Sequence, residues 1–416
     1  AGLDLPEPEP ELVIGRRMAT LASRNRVDLV SFLGAGVYQH HIPAAVDTII
    51  SRGEFATAYT PYQPEISQGT LQTIYEYQSL LSELTALPVV SASHYDGATA
   101  TAEAALMAIR ATGRGRVLAS RAIHRHYLDT TRTYLGDEVH TLEELPTLAD
   151  GTTDLAALAT ALADTGRPVA GVLLGQPNAF GILEPMREAA ATCHAAGALF
   201  IAIVEPVSLV VLAPPGEYGA DIAAGEGQPL GIAPQFGGPY VGILAAAEPL
   251  TRQIPGRLVG RTTDVDGRRA YVMTLRAREQ DIRRERAASN ICTNQALCAL
   301  AATVYTATLG PHGLADVARN GAAAARRLER ALAGAGIPRV HSGAYLNELA
   351  VRVPDAARVH AALLDEGILA GLPLATWYPD DADLADALLL CATELTTDAD
   401  IERLASALAA HVTVAA

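Results

Sequence analysis

Two segments of the sequence join a predicted strand to residues that could bind a ligand. YDGATA (Tyr95 to Ala100) follows a short apolar strand and opens a helix. The free N–H groups and dipole of that helix predict an anion site suited to phosphate, although a plain N-capped turn gives the same pattern. LFIAIVEP (Leu199 to Pro206) is an apolar strand that ends in Glu205. In many enzymes that use pyridoxal phosphate (PLP), a carboxylate at such a strand end pairs with the pyridine nitrogen; the alternative is a solvated strand end.

The lysine that would hold such a cofactor is absent. PLP enzymes bind their cofactor as a Schiff base on a lysine, yet all 31 Lys+Arg residues of this chain are arginine. In PLP enzymes the lysine usually follows the carboxylate after one further strand. Here the segment Asp221 to Gly242 has that strand and a glycine-rich bend, but Gln228 stands where the lysine is expected. Either the chain has lost the chemistry or another chain supplies the lysine. Codon bias toward arginine explains the general scarcity of lysine. It does not explain how an enzyme of this kind could function without its cofactor-binding lysine.

Two further segments place polar side chains in predicted loops. HRHY begins at His124 and follows a strand, so this histidine could stack on an aromatic cofactor or substrate, or lie in a surface loop. PYQPEISQG (Pro61 to Gly69) is dense in tyrosine, glutamine, glutamate and serine. Loops of this kind contact ligands or partner chains when they are not simply solvated.

An arginine-rich segment runs from Leu275 to Asn290, where five arginines alternate with acidic residues. At helical spacing this pattern predicts i,i+4 ion pairs on a solvated helix face. The alternative is a local cationic surface that could take a carboxylate, a phosphate or an acidic partner.

The order of predicted elements favours an α/β fold. Most strand candidates are separated by helices, which predicts a mainly parallel sheet covered on both faces. We expect an N-terminal arm and first helix over residues 1–30, a large α/β domain over 31–312 and a small α+β domain over 313–416. The small domain is expected to begin with a long helix from Leu314 to Ala335.

Composition limits the partners and the compartment. The formal net charge is −15 and no basic tail is present, so nucleic acid and anionic membranes are unexpected partners. The four cysteines show no metal-ligand spacing, and scattered cysteines without a signal peptide fit a reducing cytoplasm. The most apolar stretch, Ala195 to Ala213, is interrupted by Glu205 and Pro206, so no transmembrane span is predicted.

Several of these segments together resemble one family, the P-protein of the glycine cleavage system, and specifically its N-terminal-type subunit 1. The resemblance runs in order along essentially the whole chain, and its most specific part is REQDIRR…SNICT within residues 255–297. The other segments that carry it are GEFATAYTPYQPEISQG (53–69), YDGATA, QPNAFGILE (176–184), PPGEYGADI (214–222), FGGPYVG (236–242), LNEL (346–349) and ATEL (392–395).

The resemblance implies a PLP-dependent transferase fold of type I, similar to aspartate aminotransferase. It also implies two homologous subunits in an α2β2 glycine dehydrogenase (decarboxylating), of which subunit 2 carries the PLP lysine. That enzyme would decarboxylate glycine and pass an aminomethyl group to the lipoyl arm of H-protein. This chain would bind no PLP covalently. It departs from the family where Glu205 replaces an expected aspartate and Arg286 replaces a usual lysine.

Carried over by motif, the site residues of this chain would line the mouth of the partner's active site. Tyr62, Gln63 and Glu65 are expected to reach the partner's cofactor site and to take part in catalysis. The further candidates for contact with substrate or partner are Tyr59, Gln68, His124, Asn290, Thr293, and Gly237 and Gly238 of the loop from Phe236 to Pro239.

Two other functions stay open at this point. The chain could be a non-catalytic scaffold that stabilises a partner, or a diverged homologue that acts on another amino acid in a specialised pathway. Variants of Tyr62 or Glu65 would test the first, and activity profiling against several amino acids would test the second.

Overall fold

The structure of the chain is a computed structural model that describes residues 2, 4–136, 140–235, 237–291 and 295–413. Its α-helices over these residues are α1 (Glu11–Ala22), α2 (Ala44–Ile50), α3 (Gly53–Ala56), α4 (Gln68–Thr85), α5 (Gly97–Thr112), α6 (Arg125–Leu135), α7 (Leu155–Leu162), α8 (Met186–Ala195), α9 (Pro215–Tyr218), α10 (Gln280–Arg283), α11 (Ala296–Gly334), α12 (Ala356–Asp365) and α13 (Asp398–Thr413). Its strands are β1 (Val30–Ser31), β2 (Val89–Val90), β3 (Arg116–Ser120), β4 (Thr141–Leu145), β5 (Val169–Gln176), β6 (Leu199–Val204), β7 (Ile222–Glu226), β8 (Gly242–Ala246), β9 (Leu258–Thr263), β10 (Arg269–Thr274), β11 (Glu348–Arg352), β12 (Ile368–Leu369), β13 (Leu372–Pro373) and β14 (Ala387–Cys391).

A seven-stranded sheet forms the centre of the molecule, in the order β2-β8-β7-β6-β5-β3-β4. The strands from β7 to β4 are parallel to their neighbours, whereas β8 pairs antiparallel with both β7 and β2. The expected mainly parallel sheet is therefore confirmed. In such a sheet the carboxyl ends of the parallel strands share one edge, and ligands bind in the crevice outside that edge.

Helices cover both faces of this sheet because its inner strands are apolar on both sides. Ala104 of α5 and Leu128 of α6 pack on one face against β3, β5 and β6. Leu158 of α7 and Met186 of α8 pack on the other face. The alanine-rich surface of α5 lets the helix lie close to the sheet, which brings its N-terminus to the edge where the strands end.

The C-terminal part has its own antiparallel sheet, β11-β14-β13, packed with α12, α13 and the end of α11. The helix expected from Leu314 to Ala335 corresponds to the second part of α11, whose first part begins at Ala296 and buries apolar residues such as Ala301 and Tyr305 against α2 and α4. Helix α11 kinks at Gly310, where φ is 61° and ψ is −176°, just before Pro311. This kink lies beside the expected boundary between residues 312 and 313, and the division into domains remains a prediction.

The arginine-rich segment from residue 275 to 290 is not the continuous helix that its spacing predicted. Leu275 and Arg284 have positive φ values of 53° and 52°, which break the segment into α10 and short 3-10 turns. Its charges pair locally, as between Arg276 and Asp281 at 3.0 Å, or reach into the body of the chain, as Glu279 does.

The N-terminal segment lies on the surface. Every residue of α1 is exposed, and its side-chain hydrogen bonds stay within the segment, as between Arg17 and Glu9. The short strand β1 pairs in parallel with β12 and so ties residue 30 to the C-terminal part. None of the helices in the described part of the chain is long and apolar enough to cross a membrane.

Candidate functional site

The N-terminus of α5, where the sequence predicted an anion site, is occupied by carboxylates of the chain itself. Asp96 caps the helix, its Oδ1 accepting the N–H of Thr99 at 2.8 Å in a capping box. The N–H of Gly97 donates to Oε2 of Glu226 at 2.9 Å. The N-capped turn, the alternative of the sequence analysis, is therefore present, and the N–H of Gly97 takes a carboxylate of the same chain where a phosphate was the other alternative.

Glu226 is a buried carboxylate at this edge of the sheet that the sequence analysis did not single out. It is the last residue of β7, is buried, and also accepts the N–H groups of Gln228 at 2.9 Å and Val241 at 3.2 Å. Burial raises its pKa to about 7. Its position at the end of a strand, two residues before Gln228, is the feature that could have pointed to it.

Gln228 is fixed in a buried network and cannot act as a flexible ligand. Its Oε1 accepts the N–H of Tyr38 at 2.9 Å, while its Nε2 donates to the carbonyl oxygens of Tyr38 at 2.9 Å and Ile232 at 2.6 Å. The residue is only 1% exposed. The side-chain amide of Gln228, at the expected lysine position, thus bonds to both the N–H and the carbonyl oxygen of Tyr38, as the backbone of a neighbouring β-strand would.

His124 does not lie in a surface loop, and its ring faces are covered by the same chain. The ring centroid lies 4.5 Å from that of Trp377 and 4.9 Å from that of Tyr127. Its Nε2 bonds to the carbonyl oxygen of Ala35 at 2.7 Å, so Nε2 carries the hydrogen. Burial lowers its pKa to about 4, which keeps the imidazole neutral. The aromatic contacts of His124 are therefore made with Trp377 and Tyr127 of the same chain.

A small cavity, here called the inner pocket, lies at the carboxyl edge of the sheet, with Glu226 and His124 in its wall. Its volume is about 60 Å³, and its wall includes Tyr38, His124, Tyr127, Glu205, Glu226, Glu348 and Trp377. Glu348 accepts the N–H of Ala35 and the hydroxyl of Tyr38, both at 2.6 Å. Burial raises its pKa to about 7. Glu205 accepts the N–H groups of Val207 at 2.9 Å and Ser208 at 2.7 Å, and burial raises its pKa.

The residues of the inner pocket do not fit PLP. Cofactor-sized ligands occupy pockets of roughly 300–1,000 Å³, whereas this volume holds a few water molecules. A phosphate needs free N–H donors and positive charge, but Glu226 already takes the N–H of Gly97 and three carboxylates line the wall. The carboxylate of Glu205 is aimed at backbone N–H groups and not at a pyridine nitrogen.

The second region is the outer loop, residues 58–68, which lies on the surface. Tyr59 is 73% exposed, Tyr62 42% and Ile66 80%. Gln63 and Glu65 are also exposed. The structure therefore brings the three residues expected to be catalytic onto one solvent-facing loop, which is the arrangement that contact with a partner requires.

Gln68 anchors this loop and does not project from it. Its Oε1 accepts the N–H of Tyr271 at 2.8 Å, and its Nε2 donates to the carbonyl oxygen of Tyr271 at 2.9 Å and that of Pro64 at 2.7 Å. Tyr271 belongs to β10, which pairs with β9 in an antiparallel hairpin. This hairpin therefore supports the end of the outer loop.

A cleft of about 220 Å³ opens between the outer loop, the hairpin and the start of α11. Its wall is mostly apolar and includes Tyr59, Thr60, Val259, Met273 and Leu297. Arg257, at the entry to β9, supplies the one guanidinium among the described residues that line it. Sequence reasoning missed Arg257, which stands in the segment that carried the family resemblance.

The remaining candidates lie on other loops. Asn290 is exposed and bonds to Tyr134, while the neighbouring Ser289 donates to Glu103 of α5 at 2.5 Å. Gly237 and Gly238 form a turn with φ values of 73° and 80°. Phe236 and Thr293 lie outside the described residues.

Comparison with known proteins identifies the family. Residues 2–408 match the family model described as glycine cleavage system P-protein. The chain belongs to this family. A probable glycine dehydrogenase (decarboxylating) subunit 1 of Moorella thermoacetica is 51% identical over 408 residues, which cover 98% of this chain and 90% of the relative. A protein of the same description from Anaeromyxobacter dehalogenans is 51% identical over 397 residues, covering 94% of this chain and 88% of the relative.

Solved structures agree with the fold. A crystal structure of a glycine decarboxylase (P-protein) of the glycine cleavage system, in inhibitor-bound form, superposes with a TM-score of 0.91 at 43% identity and covers 99% of this chain and 91% of that one. A cysteine desulfurase of Thermococcus onnurineus has a TM-score of 0.68 at 16% identity, covering 93% of this chain and 95% of that chain. The expected PLP-dependent transferase fold of type I is confirmed.

Proposed function

We propose that this chain is the lysine-free subunit of a two-subunit glycine decarboxylase, and that it completes an active site whose cofactor is held by a lysine-bearing partner. Membership of the P-protein family over residues 2–408 supports the reaction. The observation that supports a cofactor held by the partner and not by this chain concerns Gln228. This residue is buried and bonded to Tyr38 at the position where a cofactor lysine was expected. PLP bound on the partner would supply the decarboxylation chemistry.

In this proposal the outer loop is the part of the chain that reaches the partner's site. Tyr62, Gln63 and Glu65 are exposed and stand on a loop held by the β9–β10 hairpin. A hydroxyl, an amide and a carboxylate on such a loop can orient a small amino acid and exclude water from its surroundings. The assembly would be α2β2, with glycine as substrate and the lipoyl arm of H-protein as acceptor.

The experiment is reconstitution of this chain with a lysine-bearing subunit of the same family and lipoylated H-protein. Glycine-dependent release of CO₂ is measured for the wild type and for Tyr62→Ala and Glu65→Gln, with assembly followed by analytical ultracentrifugation. Glu188→Gln, an exposed glutamate on α8, is the matched control. We expect each loop variant to lower the rate about tenfold or more in a fully assembled complex, because each removes a contact made at the reacting substrate.

Two other outcomes would point to different functions. If the complex needs the chain for assembly but keeps full activity with both loop variants, the chain is a scaffold. If the wild-type complex releases no CO₂ from glycine but acts on another amino acid, the chain is a diverged homologue. Both would contradict the proposal as stated.

We also propose a cytoplasmic location for the complex. The described cysteines Cys193, Cys298 and Cys391 are free thiols, which suits a reducing compartment.

A further inference from the structure

Arg257 is a buried arginine that joins the outer loop to the body of the chain. It is 4% exposed and directly precedes β9. Its Nη1 donates to Oγ1 of Thr60 at 3.2 Å and its Nη2 to the hydroxyl of Tyr62 at 3.4 Å. The guanidinium carbon also lies 5.3 Å from the centroid of the Tyr62 ring, within reach of a cation–π interaction.

The charge of this arginine is balanced inside the protein. Its Nε lies 3.4 Å from Oε2 of Glu279, whose side chain is 9% exposed. Breaking a buried ion pair of this kind by removing one partner is strongly unfavourable. The ion pair therefore fixes the guanidinium plane, and the plane in turn fixes where the two hydroxyls of the loop can lie.

The backbone that carries Arg257 is itself held in place. Arg278 donates to the carbonyl oxygens of Gly256, at 3.1 Å, and of Ile254. The carbonyl oxygen of Arg257 accepts the N–H of Ala92 at 2.8 Å, which ties it to the chain beyond β2. A rigid connection thus runs from the central sheet through Arg257 to Tyr62.

The outer loop has few other restraints near Tyr62. Its described backbone hydrogen bonds are short-range turns, such as from the N–H of Tyr62 to the carbonyl oxygen of Thr60 at 2.8 Å. Gln68 holds the far end of the loop on β10. The front of the loop, where Tyr59 and Tyr62 face solvent, is held by Arg257.

We infer that Arg257 is a positioning residue for the decarboxylation reaction, which acts by presenting Tyr62 to the partner's active site. The inference rests on the proposed function, since it assumes that the outer loop serves the partner. In this inference Arg257 touches neither substrate nor cofactor. It acts through its contacts with the hydroxyl and the ring of Tyr62.

A double-mutant cycle in the reconstituted complex tests this. Arg257→Lys keeps a positive charge for Glu279 but replaces the planar fork by one ammonium, which cannot reach Thr60 and Tyr62 together. Tyr62→Phe removes the hydroxyl and keeps the ring. We expect each single variant to lower kcat about tenfold with the KM for glycine within about twofold, and the double variant to be no slower than the slower single variant.

The controls separate positioning from folding. Arg268→Lys, an exposed arginine at the tip of the same hairpin, should leave kcat unchanged. If Arg257→Lys does not fold, Thr60→Val takes its place in the cycle, because it removes a second contact of the same guanidinium. We expect Thr60→Val to lower kcat by less than Arg257→Lys does. We also expect the double variant of Thr60→Val and Tyr62→Phe to be no slower than the slower single variant.

Other results would overturn the inference. Losses that multiply to about a hundredfold in the double variant would show that Arg257 acts independently of Tyr62. A loss that only follows the fraction of assembled complex would show a structural role. A wild-type complex that is active while Arg257→Lys is neutral would refute this inference alone, whereas an inactive wild-type complex would refute the proposed function.

Discussion

The inner pocket and the outer loop use similar side chains in opposite ways. In the inner pocket the carboxylates of Glu226 and Glu348, and beside it the amide of Gln228, are bonded to the chain's own backbone and hydroxyl groups. In the outer loop Gln63 and Glu65 face solvent. The loop is held to the body of the chain by the bond of Arg257 to Tyr62 and by the bonds of Gln68 to Tyr271. The cofactor-side edge of the sheet is thus closed by internal bonds in this chain, whereas the outer loop, to which the proposed function assigns contact with the partner, keeps polar side chains in solvent. Variants in and beside the inner pocket should change stability, variants of the exposed Gln63 and Glu65 should change only the activity of the complex, and variants of the anchoring Gln68 should change stability.

The largest effect is expected from restoring the lysine. Gln228→Lys should lower the free energy of unfolding by about 2–4 kcal/mol, because the N–H and carbonyl groups of Tyr38 lose buried partners. It should bind no PLP, since the inner pocket stays too small. Chemical denaturation and absorbance after addition of PLP measure both, with Gln235→Lys, at an exposed position, as control. If Gln228→Lys is as stable as the wild type and turns yellow with PLP, the inner pocket can still bind the cofactor. Its contrast with the outer loop as a purely structural region would then be wrong.

A pH dependence of stability is the next largest effect. Burial raises the pKa values of Glu226 and Glu348 to about 7 in the folded chain, above the ordinary value of 4.5. At these two groups the folded chain therefore binds protons more tightly, and their contribution to the free energy of unfolding falls as pH rises from about 4.5 to about 7. Buried His94 and His124, whose pKa values are lowered to about 4, make an opposite contribution between about 4 and 6.5.

Glu348→Gln tests that dependence because it removes one of the two groups. Relative to the wild type, the free energy of unfolding of the variant should gain on the order of 1–3 kcal/mol as pH rises from about 4.5 to about 7. Denaturation curves across this pH range, with the exposed Glu83→Gln as control, give the slopes. An unchanged slope would mean that Glu348 titrates normally and that the pocket is open to solvent.

A smaller effect is expected where the outer loop is anchored. Gln68→Ala leaves the N–H and carbonyl groups of Tyr271 without their side-chain partner, which should lower the free energy of unfolding by about 1–2 kcal/mol. Limited proteolysis should then cut within residues 58–68. Gln72→Ala, which loses a surface bond to Glu76, is the control. Equal protease resistance of the two variants would show that the loop is held elsewhere.

The smallest effect is expected at the tip of the loop. Gln63→Ala should change the free energy of unfolding of the isolated chain by less than about 0.5 kcal/mol, because the side chain is exposed. The same substitution should lower the activity of the assembled complex. A clear loss of stability in the isolated chain would place Gln63 with the structural residues.

Much of the fold and part of the site could be predicted from the sequence. Apolar strands separated by helices predicted the parallel sheet, and the composition of residues 61–69 predicted an exposed loop. The arginine-rich segment was misread because positive φ at Leu275 and Arg284 has no periodic pattern, and neither residue is glycine. The covering of His124 by Trp377 joins residues 253 positions apart, so spacing could not indicate it.

The most direct test of the account is a titration of the isolated chain with PLP, followed by tryptophan fluorescence. Trp377 is the only tryptophan of the chain, lines the inner pocket and packs against His124. A cofactor entering that pocket would displace or contact its ring and quench its emission. The account predicts no saturable quenching, because the pocket is too small for PLP and is lined by three carboxylates. Saturable quenching at one PLP per chain would contradict it and would make this chain a cofactor-binding subunit.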